Sequence, residues 1–96
     1  MLLLTGVFVS AARAEKPSPE IVERSRQYIR ELSPLPLESL SLEDKLLLLH
    51  AYHNTGDSLD VLRVRDGLGA AYERLPYARR QAFDAMIEKA RKETLG

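Results

Sequence analysis

Proline and glycine cut residues 18–96 of this chain into segments, and inside each segment apolar residues return every three or four positions. That period is helical, and outside the Pro-rich stretch around Pro34 and Pro36 nothing alternates with period two over a strand's length. The expected fold is all-α, a small four-helix bundle. Ser18-Pro19-Glu20 opens the first helix with a hydroxyl N-cap, a proline at the first helical position and an acid in the first turn. Ile21, Ser25, Tyr28 and Leu32 form its inward face over residues 19–32, with Val22 and Ile29 alongside, while Glu20, Glu23, Arg24 and Arg30 face water. Pro34 and Pro36 stop this helix and are expected to hold Ser33 and Leu35 extended, with Leu35, Leu37 and Leu40 packing the linker onto the core.

Ser41-Leu42-Glu43-Asp44 resembles a capping box and starts the second helix, expected over residues 42–53. Four consecutive leucines, Leu46 to Leu49, make it apolar on most sides. Such a helix sits centrally or presents a second face to a ligand or partner. Asn54-Thr55-Gly56 ends it with a residue that tolerates the left-handed conformation. The third segment, about 59–74, starts at a cap on Asp57 or Ser58 and aligns Leu59, Leu62, Leu68, Ala71, Tyr72 and Leu75. Gly67 and Gly69 interrupt it, and each costs about 1 kcal/mol in a helix interior relative to alanine. A loop is therefore expected through Arg65–Gly69, with a firm helix only from about 70 to 74. Pro76 opens the fourth helix, 77–93, whose stripe is Phe83, Met86, Ile87 and Ala90 and whose water-facing side carries Arg79, Arg80, Asp84, Glu88 and Arg91. The expected core is Tyr28, Leu46, Leu49, Leu62, Tyr72, Phe83 and Ile87.

Residues 1–14, MLLLTGVFVSAARA, stand apart from this pattern. The apolar run from Leu2 to Val9, the absence of acids and Ala12-Arg13-Ala14 read as a targeting or anchoring segment, with the ending a secretory signal peptidase prefers. No Lys or Arg precedes the apolar run, and Ser10 and Arg13 fit a mitochondrial presequence, so a secretory and a mitochondrial destination both stand. An uncleaved membrane anchor falls short of the ~20 apolar residues a spanning helix needs. An apolar extension packing on its own domain or on a partner is the fourth reading. Residues 15–96 form the single expected domain.

In the whole chain 14 Lys/Arg balance 14 Asp/Glu, which argues against nucleic acid as the main partner. Cysteine is absent, which removes disulfides, thiolate metal sites and a cysteine nucleophile. His50 and His53 lie three apart on a helix with Asp57 nearby, an incomplete ligand set, so no metal and no cofactor is expected. Gly56-Asp57-Ser58-Leu59 spells the start of a lipase motif but lacks the downstream histidine, and no G-x-S-x-G elbow occurs. Gly67-Leu68-Gly69 follows no strand and is joined by no P-loop lysine. No acid/base or nucleophile pair is discernible, and a non-enzymatic protein is expected.

Taken together, residues 41–96 resemble the acyl-CoA-binding protein family, a small four-helix fold. The likeness rests on Asp44-Lys45-Leu46, Leu48, Tyr52-His53 and Thr55-Gly56-Asp57 in the second helix and the loop after it. It continues in Ala71-Tyr72 and Leu75, and in Gln81-Ala82-Phe83-Asp84-Ala85-Met86-Ile87-Glu88 of the last helix. The resemblance implies binding of long-chain fatty acyl-CoA, with aromatic side chains on the adenine and lysines on the phosphates. It places ligand contacts at Tyr52 and at His53, where the family has a lysine, and at Leu49 and Met86, where the family has tyrosines. Most of the phosphate-binding lysines have no counterpart, and Lys45 with Arg63 or Arg65 are the cations left to compensate. The alternative on the same fold is a structural interaction subunit of a larger complex, its ligand site degraded and the apolar face of the second helix docked to a protein partner.

Overall fold

The structure, a computed structural model, describes residues 16–95. The segment 1–14 lies outside the described residues. The described part is all-α, with no strand, and consists of α1 (Pro19–Leu32), a 3-10 turn (Leu37–Ser39), α2 (Leu42–Asn54), α3 (Ser58–Leu68), α4 (Ala70–Glu73) and α5 (Tyr77–Leu95). The helix count is thus five among the described residues rather than four, because the third segment is split in two.

Capping chemistry sets the starts. Ser18 Oγ accepts from the Ile21 N–H at 3.2 Å and Ser41 Oγ from the Asp44 N–H at 3.1 Å, each relieving one unpaired amide of a first turn. Asp57 precedes α3 without capping it through its side chain; its carboxylate accepts instead from Thr55 Oγ1 at 2.6 Å. Gly56 adopts φ 78°, the left-handed turn that ends α2.

Two local expectations fail for identifiable reasons. Ser33 keeps helical angles (φ −65°, ψ −28°) although a proline follows, because its N–H closes α1 on the Ile29 carbonyl at 2.9 Å. The loop expected at Arg65–Gly69 is also absent: α3 runs unbroken through Gly67 to Leu68. Gly67 is there for close approach. A Cβ on it would lie 2.3 Å from Leu37 Cδ2, so a side chain would collide with the linker that crosses α3. The break falls at Gly69 alone, at φ 55° and ψ −143°, a conformation essentially restricted to glycine.

That continuous helix also changes which residues of α3 face inward. Val61, Val64 and Leu68 are buried at spacings of three and four, whereas Leu59, expected inside, is 74% exposed and Leu62 only partly covered. Around them the core takes Leu40, Leu46, Leu48, Leu49, Tyr52, Tyr72, Leu75, Phe83, Ile87 and Ala90. Tyr28 is half-buried rather than central, and Leu35 stays exposed while Leu37 and Leu40 pack as expected.

The helices pack in sequence: α1 on α2, α2 on α3 and α3 on α5, with a lighter contact between α2 and α5. α2 is therefore central. Leu46, Leu48, Leu49, Ala51 and Tyr52 are all buried, and of the leucine run only Leu47 reaches the surface, at 40% exposure. The face of α2 that its sequence left free for a ligand or partner is covered by its own neighbours. At the helix starts the Arg79 guanidinium makes a two-pronged pair with Glu43, at 2.9 and 2.6 Å, tying α5 to α2. This pair holds the Glu43 carboxyl below its ordinary range.

Candidate functional site

The five positions singled out for ligand contact do not converge on one place. Tyr52, His53 and Met86 line one cleft, formed where the α2–α3 turn crosses α5. Leu49 is 0% exposed and belongs to the core. Lys45 lies about two turns before Tyr52 on the same side of α2, roughly 10 Å away along the helix, where its ammonium donates to the Gly67 carbonyl at 3.1 Å and helps to bind α2 to α3. Of the two candidate arginines, Arg63 donates to the Tyr52 hydroxyl at 3.3 Å and pairs with Asp60, whereas Arg65 lies over the ring of Tyr72 and pairs with Glu73.

The cleft is small, about 30 Å³, close to the space of one water molecule. Lys89 and Glu93 enter it from α5, and the Ser58 hydroxyl donates to Glu93 Oε1 at 2.5 Å across its floor. Both residues follow Met86 at helical spacing, so the wheel of α5 carries a signal for them. Burial pushes the His53 imidazole below its ordinary pKa, and the neighbouring His50 and Lys89 push it the same way against the pull of Glu93. His50 is lowered by burial as well. His53 is therefore neutral at pH 7, able to exchange one hydrogen bond but carrying no charge for a phosphate. Tyr52 is held in its protonated form, chiefly by burial, with Asp60 acting in the same direction.

His50 and His53 stand with ring centroids 6.2 Å apart, and His50 meets Phe83 edge-on at 6.5 Å. Among the described residues no group of three or more His, Asp or Glu is placed to hold a metal ion.

Comparison with protein-family models, curated proteins and solved structures finds no match.

A second hollow lies between α3–α4 and α5. It is open and much larger, about 630 Å³, and takes Arg65, Tyr72 and Glu73 on one side and Arg80, Asp84 and Arg91 on the other. The Tyr72 hydroxyl donates to Asp84 Oδ1 at 2.5 Å, and burial together with that carboxylate raises the phenol far above its ordinary pKa. By spacing along α5, Arg80, Asp84 and Arg91 form a solvated face. Nothing in the spacing along α5 alone signals a groove, because its opposite wall comes from α3 and α4.

Proposed function

We propose that this domain is a non-enzymatic interaction module, a structural subunit of a larger assembly on an acyl-CoA-binding-protein-like scaffold whose acyl-CoA site has closed. The observation that carries the reading is the filling of the cleft at Tyr52, His53 and Met86. Its 30 Å³ compares with the roughly 300–1,000 Å³ of a pocket that encloses a small organic ligand. Lys45 engaged at Gly67 and an uncharged His53 support the same reading, since phosphate groups need free cations. With the rest of the leucine run inside, Leu47 is the exposed leucine that α2 offers a partner. A photo-crosslinking residue at position 47 should capture one defined partner in the producing cell, and one at position 59 should not. Equal labelling from both positions, or none from either, contradicts the proposal.

The acyl-CoA reading keeps one specific observation in its favour. Three of the positions that the resemblance assigns to ligand contact do meet at a single cleft, and Lys89 adds a cation there that the resemblance did not include. In that reading the cleft widens on binding by displacing Lys89 and Glu93, and Tyr52 supplies the aromatic contact.

A further inference from the structure

The groove between α3–α4 and α5 shares no lining residue with the Tyr52–His53 cleft and is an open surface hollow. Arg65 and Arg80 converge within it. The Arg65 guanidinium lies 4.1 Å from the centre of the Tyr72 ring, and that ring is anchored at its far end by the hydroxyl's bond to Asp84. The two arginine side chains are 27% and 33% exposed, so both are partly withdrawn from water.

Between them stands a single carboxylate. Glu73 Oε2 accepts from Arg65 at 3.3 Å, and its Oε1 lies 3.5 Å from Arg80. These are long contacts, and the Glu73 side chain is 64% exposed on a helix of four residues, so the carboxylate can turn out into water without disturbing the core. When it does, Arg80 Nη1 still donates to the Glu73 main-chain carbonyl at 3.2 Å, and the Arg65 fork and the other N–H groups of Arg80 face one vacated anion position.

We propose that Arg65 and Arg80 form a clamp for the phosphate group of a small molecule, with Glu73 occupying the anion position until the phosphate displaces it. A carboxylate ligand offers nothing that Glu73 does not already supply from within the same chain, at a high effective concentration. A phosphate monoester brings close to two negative charges and three acceptor oxygens, enough for both forks at once. With Glu73 swung away, three arginines (Arg65, Arg80, Arg91) face two carboxylates (Asp84, Glu88) around the groove, a local excess of positive charge that the resting arrangement lacks.

The test is a titration of the full chain with glycerol phosphate, with inorganic phosphate and with acetate, at pH 7.5 and low ionic strength. It is followed through the side-chain NMR resonances of the arginines. Glycerol phosphate should bind saturably and shift Arg65 and Arg80 together, while acetate should not. Glu73→Gln should tighten binding about tenfold by removing the competing carboxylate. Arg65→Lys and Arg80→Lys, which keep the charge but lose the fork, should each weaken it about tenfold with unchanged thermal unfolding. Binding of inorganic phosphate as tight as that of the ester assigns the clamp to free phosphate, and tighter binding of the ester assigns it to an organic phosphate. An absence of saturation in Glu73→Gln, or binding indifferent to both arginine substitutions, overturns the proposal.

Discussion

Gly67→Ala separates the two accounts of the third segment. If glycine merely weakened a helix there, alanine would stabilise the protein by about 1 kcal/mol through helix propensity. The structure gives the opposite sign or none. Gly67 is in helical conformation, but the new Cβ would lie 2.3 Å from Leu37 Cδ2 and 3.1 Å from its Cγ, so the Leu37 side chain must leave its present packing. Overpacking of this kind costs about 1–3 kcal/mol. Set against the propensity gain, the expected net effect lies between zero and about 2 kcal/mol of destabilisation. Leu37→Ala removes the obstructing atoms, and in that background Gly67→Ala should recover its stabilisation of about 1 kcal/mol. The two substitutions should therefore be coupled by about 1–3 kcal/mol in a double-mutant cycle measured by urea unfolding with far-ultraviolet circular dichroism. Stabilisation by about 1 kcal/mol in both backgrounds would show that Leu37 does not press on α3, and the reasoning would fail.

Leu49→Ala should cost about 2–5 kcal/mol, as expected of a leucine with no exposed surface, whereas Leu59→Ala should stay within about 0.5 kcal/mol; the contrast is read from urea midpoints, and equal effects would contradict the assigned face of α3. His50 and His53 are both depressed by burial, so the unfolded chain takes up protons at a higher pH than the folded one. Their contribution is intact above the unfolded value near ~6.5 and is lost as pH falls below it, by at most about 1.4 kcal/mol per pH unit for each imidazole. Unfolding free energies between pH 7 and 5.5 should show that slope, and His50→Gln/His53→Gln should flatten it. A chain lacking residues 1–14 should still unfold cooperatively, since the residues that form the described core run from Ser25 to Ala90; a broad, non-cooperative thermal transition would place Leu2–Leu4 in the core.

The parts of this fold that were legible in the sequence are those decided within a few residues. Ser18 and Ser41 cap through their own hydroxyls to amides three positions on, so the starts of α1 and α2 could be placed from the sequence. The stripe Phe83, Ile87 and Ala90 was equally plain because α5 has no interruption. The break in the third segment was misplaced because the local cost of Gly67 is outweighed by a contact with Leu37, which no window around residue 67 contains. The inward face of α3 is Val61, Val64 and Leu68, at spacings of three and four that Leu59 does not join. At the site, Tyr52, His53 and Met86 meet, while Leu49, singled out with them, is buried in the core and Lys45 is held by the Gly67 carbonyl of α3, which no window of α2 contains. The arginine groove escaped because charges spaced along one helix read as solvated until the helices opposite are known.

The proposed closure of the cleft at Tyr52 and His53 to acyl-CoA is checked by isothermal titration of the chain with palmitoyl-CoA at pH 7.5. No saturable heat is expected for the unaltered protein, and none for His53→Lys, because a permanent charge does not make room for the ligand. Stoichiometric binding that tightens in His53→Lys and weakens in Tyr52→Ala would contradict it.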